Sequence, residues 1–528
     1  MTAPTTRREF LSHSAATILL STLASSSNAF DPQLASQGDP CADLKLPWTA
    51  SLKWANVVDV RQAPGESIDE KLSQAQAMLA MNGGGVVFFP EGSYRFRESI
   101  KLLDGVVIRG AAPKTITTAH TDKFSLATKF EFPKYEPSLE GDGASIVSAF
   151  KGIVLAEPAT ASNCGVVHID IHRGHIHLDD DGSDDHRAGR NRVVFGCILR
   201  NAAVADPAVP NLKIGQFGWQ RFTHRHHAAI DVKASENLLV ANNRLPKSGD
   251  DNFTMNGFVL LDSKKKPTTF DGIVFDYDNR PGLYVNHYGI GGAGGAGPDG
   301  TPETHPHGFR RGIVIRDNFI FNTGRMGIGF CGDGVICSNN VIRIPDDVFR
   351  PTATGQQLTT GASTNDNRAI EMRGWRWTVD GNDYEVHRNW ASDRKYKIND
   401  GEGLMHEDHV NSTVRDSVLT NNRGNTYLSI YKTAGIDGLL IEGNDIRLGD
   451  GKQTIAKGAA IYAVADRNSG RFPCRNVTIV NNTVSGGGIA IAGSPAEKNV
   501  IRGNKCLGEA APIKNDAEAT VSANEGFA

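Results

Sequence analysis

Between Gly327 and Cys506 one short pattern keeps returning: an apolar residue, two variable positions, an Asn, one variable position and another apolar residue. It reads Ile336-Cys337-Ser338-Asn339-Asn340-Val341, Val386-His387-Arg388-Asn389-Trp390-Ala391, Val414-Arg415-Asp416-Ser417-Val418-Leu419, Ile441-Glu442-Gly443-Asn444-Asp445-Ile446, Ile479-Val480-Asn481-Asn482-Thr483-Val484 and Ile501-Arg502-Gly503-Asn504-Lys505-Cys506. Ser stands for Asn at position 417, and Ala391 closes the second unit. Short strands of period two accompany the units, with Ile328, Phe330, Ile370, Met372, Met405, Leu428, Ile430, Ile461, Ile489 and Ile491 as their inward residues. Fixed strands joined by loops of uneven length describe a coil that buries its apolar row only by stacking on its neighbours. An inward Asn suits such a stack, because its amide both donates and accepts along the stacking axis. The fold expected from the repeat is all-β: a single-stranded parallel β-solenoid.

A solenoid grows along one axis, so 528 residues need not be divided among several compact domains. The 57 glycines and 7% aromatics suit a turn-rich β protein, and a net charge of -3 argues against a nucleic-acid partner. The seven Cys have no metal-ligand spacing. Cys197 and Cys506 fall at inward positions and read as buried thiols, while Cys331 and Cys337 lie close enough in sequence to pair. Gly65 to Met81 reads as an amphipathic helix, with Ile68, Leu72, Ala75 and Leu79 on one face, suited to cover the open first coil.

Thr6-Arg7-Arg8-Glu9-Phe10-Leu11, followed by a short apolar run, resembles a bacterial twin-arginine export signal cleaved after about Ala29. The resemblance implies export to the periplasm or the cell exterior, with no stable membrane insertion once the signal is removed. Gly83-Gly84-Gly85-Val86-Val87-Phe88-Phe89-Pro90-Glu91-Gly92-Ser93-Tyr94 resembles the entry motif of the pectate-lyase-like, right-handed parallel β-helix superfamily. That implies a secreted carbohydrate-active enzyme, often one acting on acidic polysaccharides. The motif is architectural and names no catalytic residue. Of the motifs of the superfamily's polygalacturonase branch, only Gly249-Asp250-Asp251 is visible. The organisation expected is a signal peptide over 1–29, an extension over 30–56, the β-helix over 57–510 and a tail over 511–528. Long insertions at 263–312, 345–368 and 374–401 would stand as walls beside the strands they interrupt.

Stacking Met372, Met405 and Ile430 inward puts Arg373, His406 and Tyr431 in one outward column, with Glu371 one outward position before Arg373. Glu402, Glu407, His409 and Lys432 flank the column, and Trp375 and Trp377 offer indole faces to sugar rings. These groups suit β-elimination of a uronic-acid polysaccharide. A guanidinium on the substrate carboxylate stabilises the enolate, a neutral His takes the C5 proton, and a Tyr protonates the departing oxygen or, with a lowered pKa, serves as the base itself. A C5-epimerase would need nearly the same set. A glycoside hydrolase would need paired carboxylates, such as Glu371 with Glu402 or Glu407, or Asp250 with Asp251. A non-catalytic glycan-binding surface protein would need none of them. The column calls for no metal; a calcium ion, if used, would fall to the acidic run with Asp179, Asp181 and Asp184. His175 and His177 share one strand face nearby, reading as a polar face or a metal pair. The partner expected is an acidic polysaccharide met by a monomer.

Overall fold

The computed structural model describes residues 38–528 apart from 115–117, 134–136, 141–144, 149–152, 182–186, 201–228, 247–252, 256–257, 262–266, 271–272, 276–282, 286–310, 322–325, 345–367, 387–401, 408–413, 432–434, 449–458, 468–469 and 496–497. For some strand residues, among them 402–407, 431 and the strands between 253 and 285, it describes the backbone only. The export signal read at the N-terminus lies outside the described residues.

Each coil contributes one strand to each of three parallel sheets. Ile436–Glu442 lies in the first sheet, Asp445–Arg447 in the second and Ala459–Val464 in the third; Pro473–Val480 then returns to the first, one coil on. The first sheet runs from Val57–Asp59 to Thr520–Ser522, and the second is a 12-stranded sheet from Gly92–Arg95 to Lys505–Leu507. The third runs from Ile100–Leu102 to Ile513–Asn515. The result is a right-handed parallel β-helix, the hand that twisted parallel strands and their crossovers favour. Inward side chains form continuous columns. Ile328, Phe330, Ile370, Met372, Leu428, Ile430, Ile461, Ile489 and Ile491 are all fully buried, as their alternation predicts.

The corner between the first and second sheets carries an asparagine ladder. It passes through Asn243, Asn318, Asn340, Asn382, Asn422, Asn444, Asn482, Asn504 and Asn524. Asn382 shows the unit. Its Nδ2 donates to Asn422 Oδ1 at 2.9 Å and to Cys337 O at 2.9 Å, while its Oδ1 accepts from the backbone N and Nδ2 of Asn340. Every polar atom of the buried amide is thereby satisfied. The residue before each rung takes the left-handed conformation that turns the corner: Asn339 at φ 54°, Asn421 at 55°, Gly443 at 66° and Gly503 at 68°. At Gly503 a Cβ would lie 2.7 Å from Asn481 Oδ1, so a larger residue there would have to push that exposed side chain aside.

Against the sequence pattern, the rung in the first unit is Asn340; Asn339 is the exposed turn residue. Ser417 is no rung either, because its unit's rung is Asn422, and the ladder also holds Asn382, which the pattern missed. Asn389 lies outside the described residues. Cys197 stands one coil before the ladder, its backbone N–H donating to Asn243 Oδ1. All seven Cys are buried thiols, and Cys331 and Cys337 form no disulfide: one lies on the third sheet, the other inward on the first.

The helix Ile68–Met81 starts at a capping box between Ser67 and Glu70 and lays Leu72, Ala75 and Leu79 over the first coil. Residues 41–54 are more than an extension: Cys41, Leu52 and Trp54 pack on the outer face of the first sheet against Val86, Phe88 and Val107. The expected tail is likewise part of the solenoid, because Ile513–Asn515 and Thr520–Ser522 extend the sheets and Asn524 ends the ladder. The stretch 374–401 is not one loop, since Thr378–Asp380 and Asp383–Val386 are strands of the first and second sheets. Within 263–312, Leu283–Val285 is a third-sheet strand.

Candidate functional site

The outward face of the third sheet is where chemistry-bearing side chains gather. The backbone register aligns His177, Asp231, Tyr284, Gly329, Glu371, Met405, Ser429 and Tyr462 in one row across successive coils. A second row, two residues further along, carries Asp179, Lys233, Cys331 and Arg373. Adjacent positions in a row are about 4.8 Å apart. In sequence, 201–228, 345–367 and 387–401 precede strands of this sheet and 286–310 follows one.

The densest cluster is at the N-terminal end of these rows. In His175–Leu178, Ile176 and Leu178 point into the core, which leaves His175 and His177 on the outer face with ring centroids 5.9 Å apart. His177 Nε2 lies 2.9 Å from Asp179 Oδ2, while Lys233 Nζ ion-pairs with Asp179 Oδ1 and sits 3.3 Å from Asp180 Oδ2. Asp231, next to His177 in the row, is 8% exposed. Burial works against a charge on His177, but the bond to Asp179 and the charges of Asp231 and Asp179 outweigh it, so its pKa is raised. Burial also opposes the Asp179 charge, yet the hydrogen bond from His177 and the Lys233 ammonium hold its carboxyl well below the usual range. Lys233 is desolvated too, and Asp231, Asp179 and Asp180 raise its pKa nonetheless. An ammonium, an imidazole and three carboxylates thus share one half-buried patch. Asp179 is gripped by both His177 and Lys233, and Lys233 also reaches Asp180, so the groups hold one another in place.

The column expected from the sequence is not formed. Met372 pairs with His406 and His406 with Ile430, so His406 occupies the row of buried inward residues; Tyr431 pairs with Glu407. Met405 sits in the outward row between Glu371 and Ser429, one residue out of the expected phase. Arg373 and Glu371 do share the outward face, but both are buried in an ion pair of 2.7 Å, and Arg373 Nε has no hydrogen-bond partner among the described residues. Trp375 and Trp377 are not platforms. Trp375 ends a strand and packs beneath the Arg415 guanidinium, 4.1 Å from its ring centroid; Trp377 is wholly buried, with its N–H donated to Arg373 O. Both belong to a coil rather than a loop, which is why their indoles face packing partners. Glu402 pairs with Arg368 in the register; its side chain, those of His406, Glu407 and Tyr431, and the residues Lys432, His409, Asp184, Asp250 and Asp251 lie outside the described residues.

Asp179 is engaged by an ammonium and an imidazole, so a calcium ion would have to displace both, and Asp181 is exposed and accepts from Arg187 N. Among the described residues, no group of three or more His, Cys, Asp or Glu is arranged to hold a metal ion, and no helix is long and apolar enough to cross a membrane. His177 and Asp179 were visible in the sequence as outward residues of one strand. Asp231 and Lys233 were missed: their coil lacks a rung, and 201–228 separates it from the preceding strand.

No family model matches the chain, and neither does the sequence of any curated protein. Among solved structures, the chain is similar to PfbA, a surface adhesin of Streptococcus pneumoniae, at 13% identity and a TM-score of 0.41, covering 89% of each chain. It is similar to the A-module of the Azotobacter vinelandii mannuronan C-5 epimerase AlgE6 at 11% identity and a TM-score of 0.31, over 88% of this chain and 98% of that one. The tailspike protein of E. coli bacteriophage HK620, in complex with a pentasaccharide, matches at 11% identity and a TM-score of 0.37, over 89% of this chain and 63% of the tailspike. Overlaps this loose carry no argument about what this chain does.

Proposed function

We propose that the protein is a lyase that cleaves uronic-acid polysaccharides by β-elimination, with its proton-transfer centre at His177, Asp179, Asp231 and Lys233. The observation that supports this reading is the latch itself: a half-buried imidazole oriented by a carboxylate, beside a desolvated ammonium. Removing the C5 proton of a uronate needs a cation to take up charge on its carboxylate, and Lys233 supplies one. It also needs a base whose pKa lies near the working pH, and a His raised above its ordinary value suits that task. With Nε2 donating to Asp179, the proton exchanged with substrate falls to Nδ1. As the C4–O bond breaks, the electron pair of the C5–H bond forms the C4–C5 double bond and the oxygen leaves with a proton. Tyr284, one register position beyond Asp231, is the candidate donor of that proton. Arg373, four strands on from His177 and two residues further along, is committed to its buried ion pair with Glu371 and takes no part in this reading.

The test is product analysis on a panel of polyuronates. Unsaturated uronate ends with ultraviolet absorbance are expected, lost in His177→Gln and in Lys233→Met. Saturated ends would favour a hydrolase. The same groups would serve a C5-epimerase, which would incorporate deuterium at C5 in heavy water without shortening the polymer. A panel that yields no reaction would favour glycan binding without chemistry.

A further inference from the structure

Arg192 is fully buried and occupies an inward position of the first sheet, in a column with Cys164, Leu238 and Ile313. An arginine among apolar residues is expensive unless its donors are all met. Here the donors go to backbone carbonyls: Nε to Ala161 O at 3.0 Å, Nη2 to Ala159 O, and Nη1 to Leu178 O at 2.8 Å, Asp179 O at 2.8 Å and Lys233 O at 2.6 Å. Two of those carbonyls belong to the residues that form the latch with His177, and they come from successive coils. A leucine would fill the column at less cost, but it would leave the ends of these two strands untied.

We propose that Arg192 is the positioning residue of the proton-transfer centre: by clamping the main chain at Asp179 and Lys233, it fixes the distance at which Asp179 grips both His177 and Lys233. This rests on the reading of His177 as the proton-transfer group. The clamp works through geometry rather than charge. A lysine in its place keeps the positive charge but has three donors on one nitrogen, and it cannot reach carbonyls on several sides at once. Among the described residues, the titratable groups beside His177 are Asp179, Asp231, Lys233 and His175, and a substitution at position 192 replaces none of them.

The experiment compares wild type with Arg192→Lys, using protein labelled with 15N in histidine and assigning the His177 resonance by its loss in His177→Gln. The titration midpoint of His177 is expected to fall toward the ordinary value of about 6.5 as the Asp179 contact loosens. On a polyuronate substrate kcat should drop about 10- to 100-fold with KM near the wild-type value. An unchanged His177 titration in a folded Arg192→Lys protein overturns the proposal. Should Arg192→Lys not fold, Arg192→Met, which fills the apolar column, undergoes the same titration. If neither folds, Arg192 is a folding determinant and the proposal fails. If wild type turns over no polyuronate but the midpoint still shifts, the clamp stands and the lyase reading falls.

Discussion

Asn339 and Asn340 are neighbours of one residue type with opposite tasks. Asn340 is fully buried and joins two coils, whereas Asn339 is exposed and needs only a left-handed backbone. Asn340→Ala strands the partner donor groups of Asn318 and should cost about 1–3 kcal/mol or more in chemical denaturation. Asn339→Gly should change stability little, since glycine takes the same conformation freely. Equal effects at the two positions would refute the ladder's register. The sequence pattern could not separate them, because either Asn satisfies it; only the stacking of neighbouring coils does. The latch makes a pH prediction at the same scale. His177 has a raised folded pKa, so its stabilisation is complete below about 6.5 and is lost as pH climbs through the higher folded value. Asp179 is depressed, so its stabilisation is complete above about 3.9 and is lost as pH falls through the lower folded value. The difference in Tm between wild type and His177→Gln should therefore be largest between about pH 4 and 6.5 and shrink on the alkaline side. A difference independent of pH would show that the latch carries no charge.

Strand pairing decides what each element presents, and here the sequence was legible only in part. Alternation fixes which residues of one strand share a face, as in His175–Leu178. It does not fix the phase of a strand that follows a long insertion. Leu404 and Met405 are both apolar, so Gly403-Leu404-Met405-His406 satisfies either phase. The structure takes the one that aligns Leu404 with Ile370 and His406 with Met372. The expected catalytic column failed at that one residue. Tyr384 and Gly424 show a pairing that composition does encode. They are register partners, and a Cβ on Gly424 would lie 2.0 Å from Tyr384 Cζ, with the tyrosine hydroxyl donating to Thr426 O. Gly424→Ala should cost about 1–3 kcal/mol by overpacking, and Tyr384→Leu should cost a similar amount through lost volume. In the double variant, alanine enters the vacated space, so denaturation should show a loss smaller than the sum by about 1 kcal/mol. Strict additivity would mean that the two sites do not share one packing volume.

At the scale of the whole molecule, the solenoid was readable because its period repeats, and one rung in the wrong place does not alter the architecture. Its ends were harder, since the strands at 513–522 lack the spacing of the inner coils and still complete the sheets. A catalytic centre does not repeat. It depends on which coils the insertions bring into register, and those distances are invisible in the linear sequence. The central claim is that a proton leaves or enters the sugar at His177, on the N-terminal part of the third sheet, and not at His406 in the middle of the chain. The most direct test is the product formed from a polyuronate by wild type, His177→Gln and His406→Gln at matched folded concentration. The account predicts unsaturated uronate ends from wild type and from any folded His406→Gln, and a loss of about 100- to 10,000-fold in His177→Gln. Full activity in His177→Gln, or saturated ends from the wild-type protein, would contradict it.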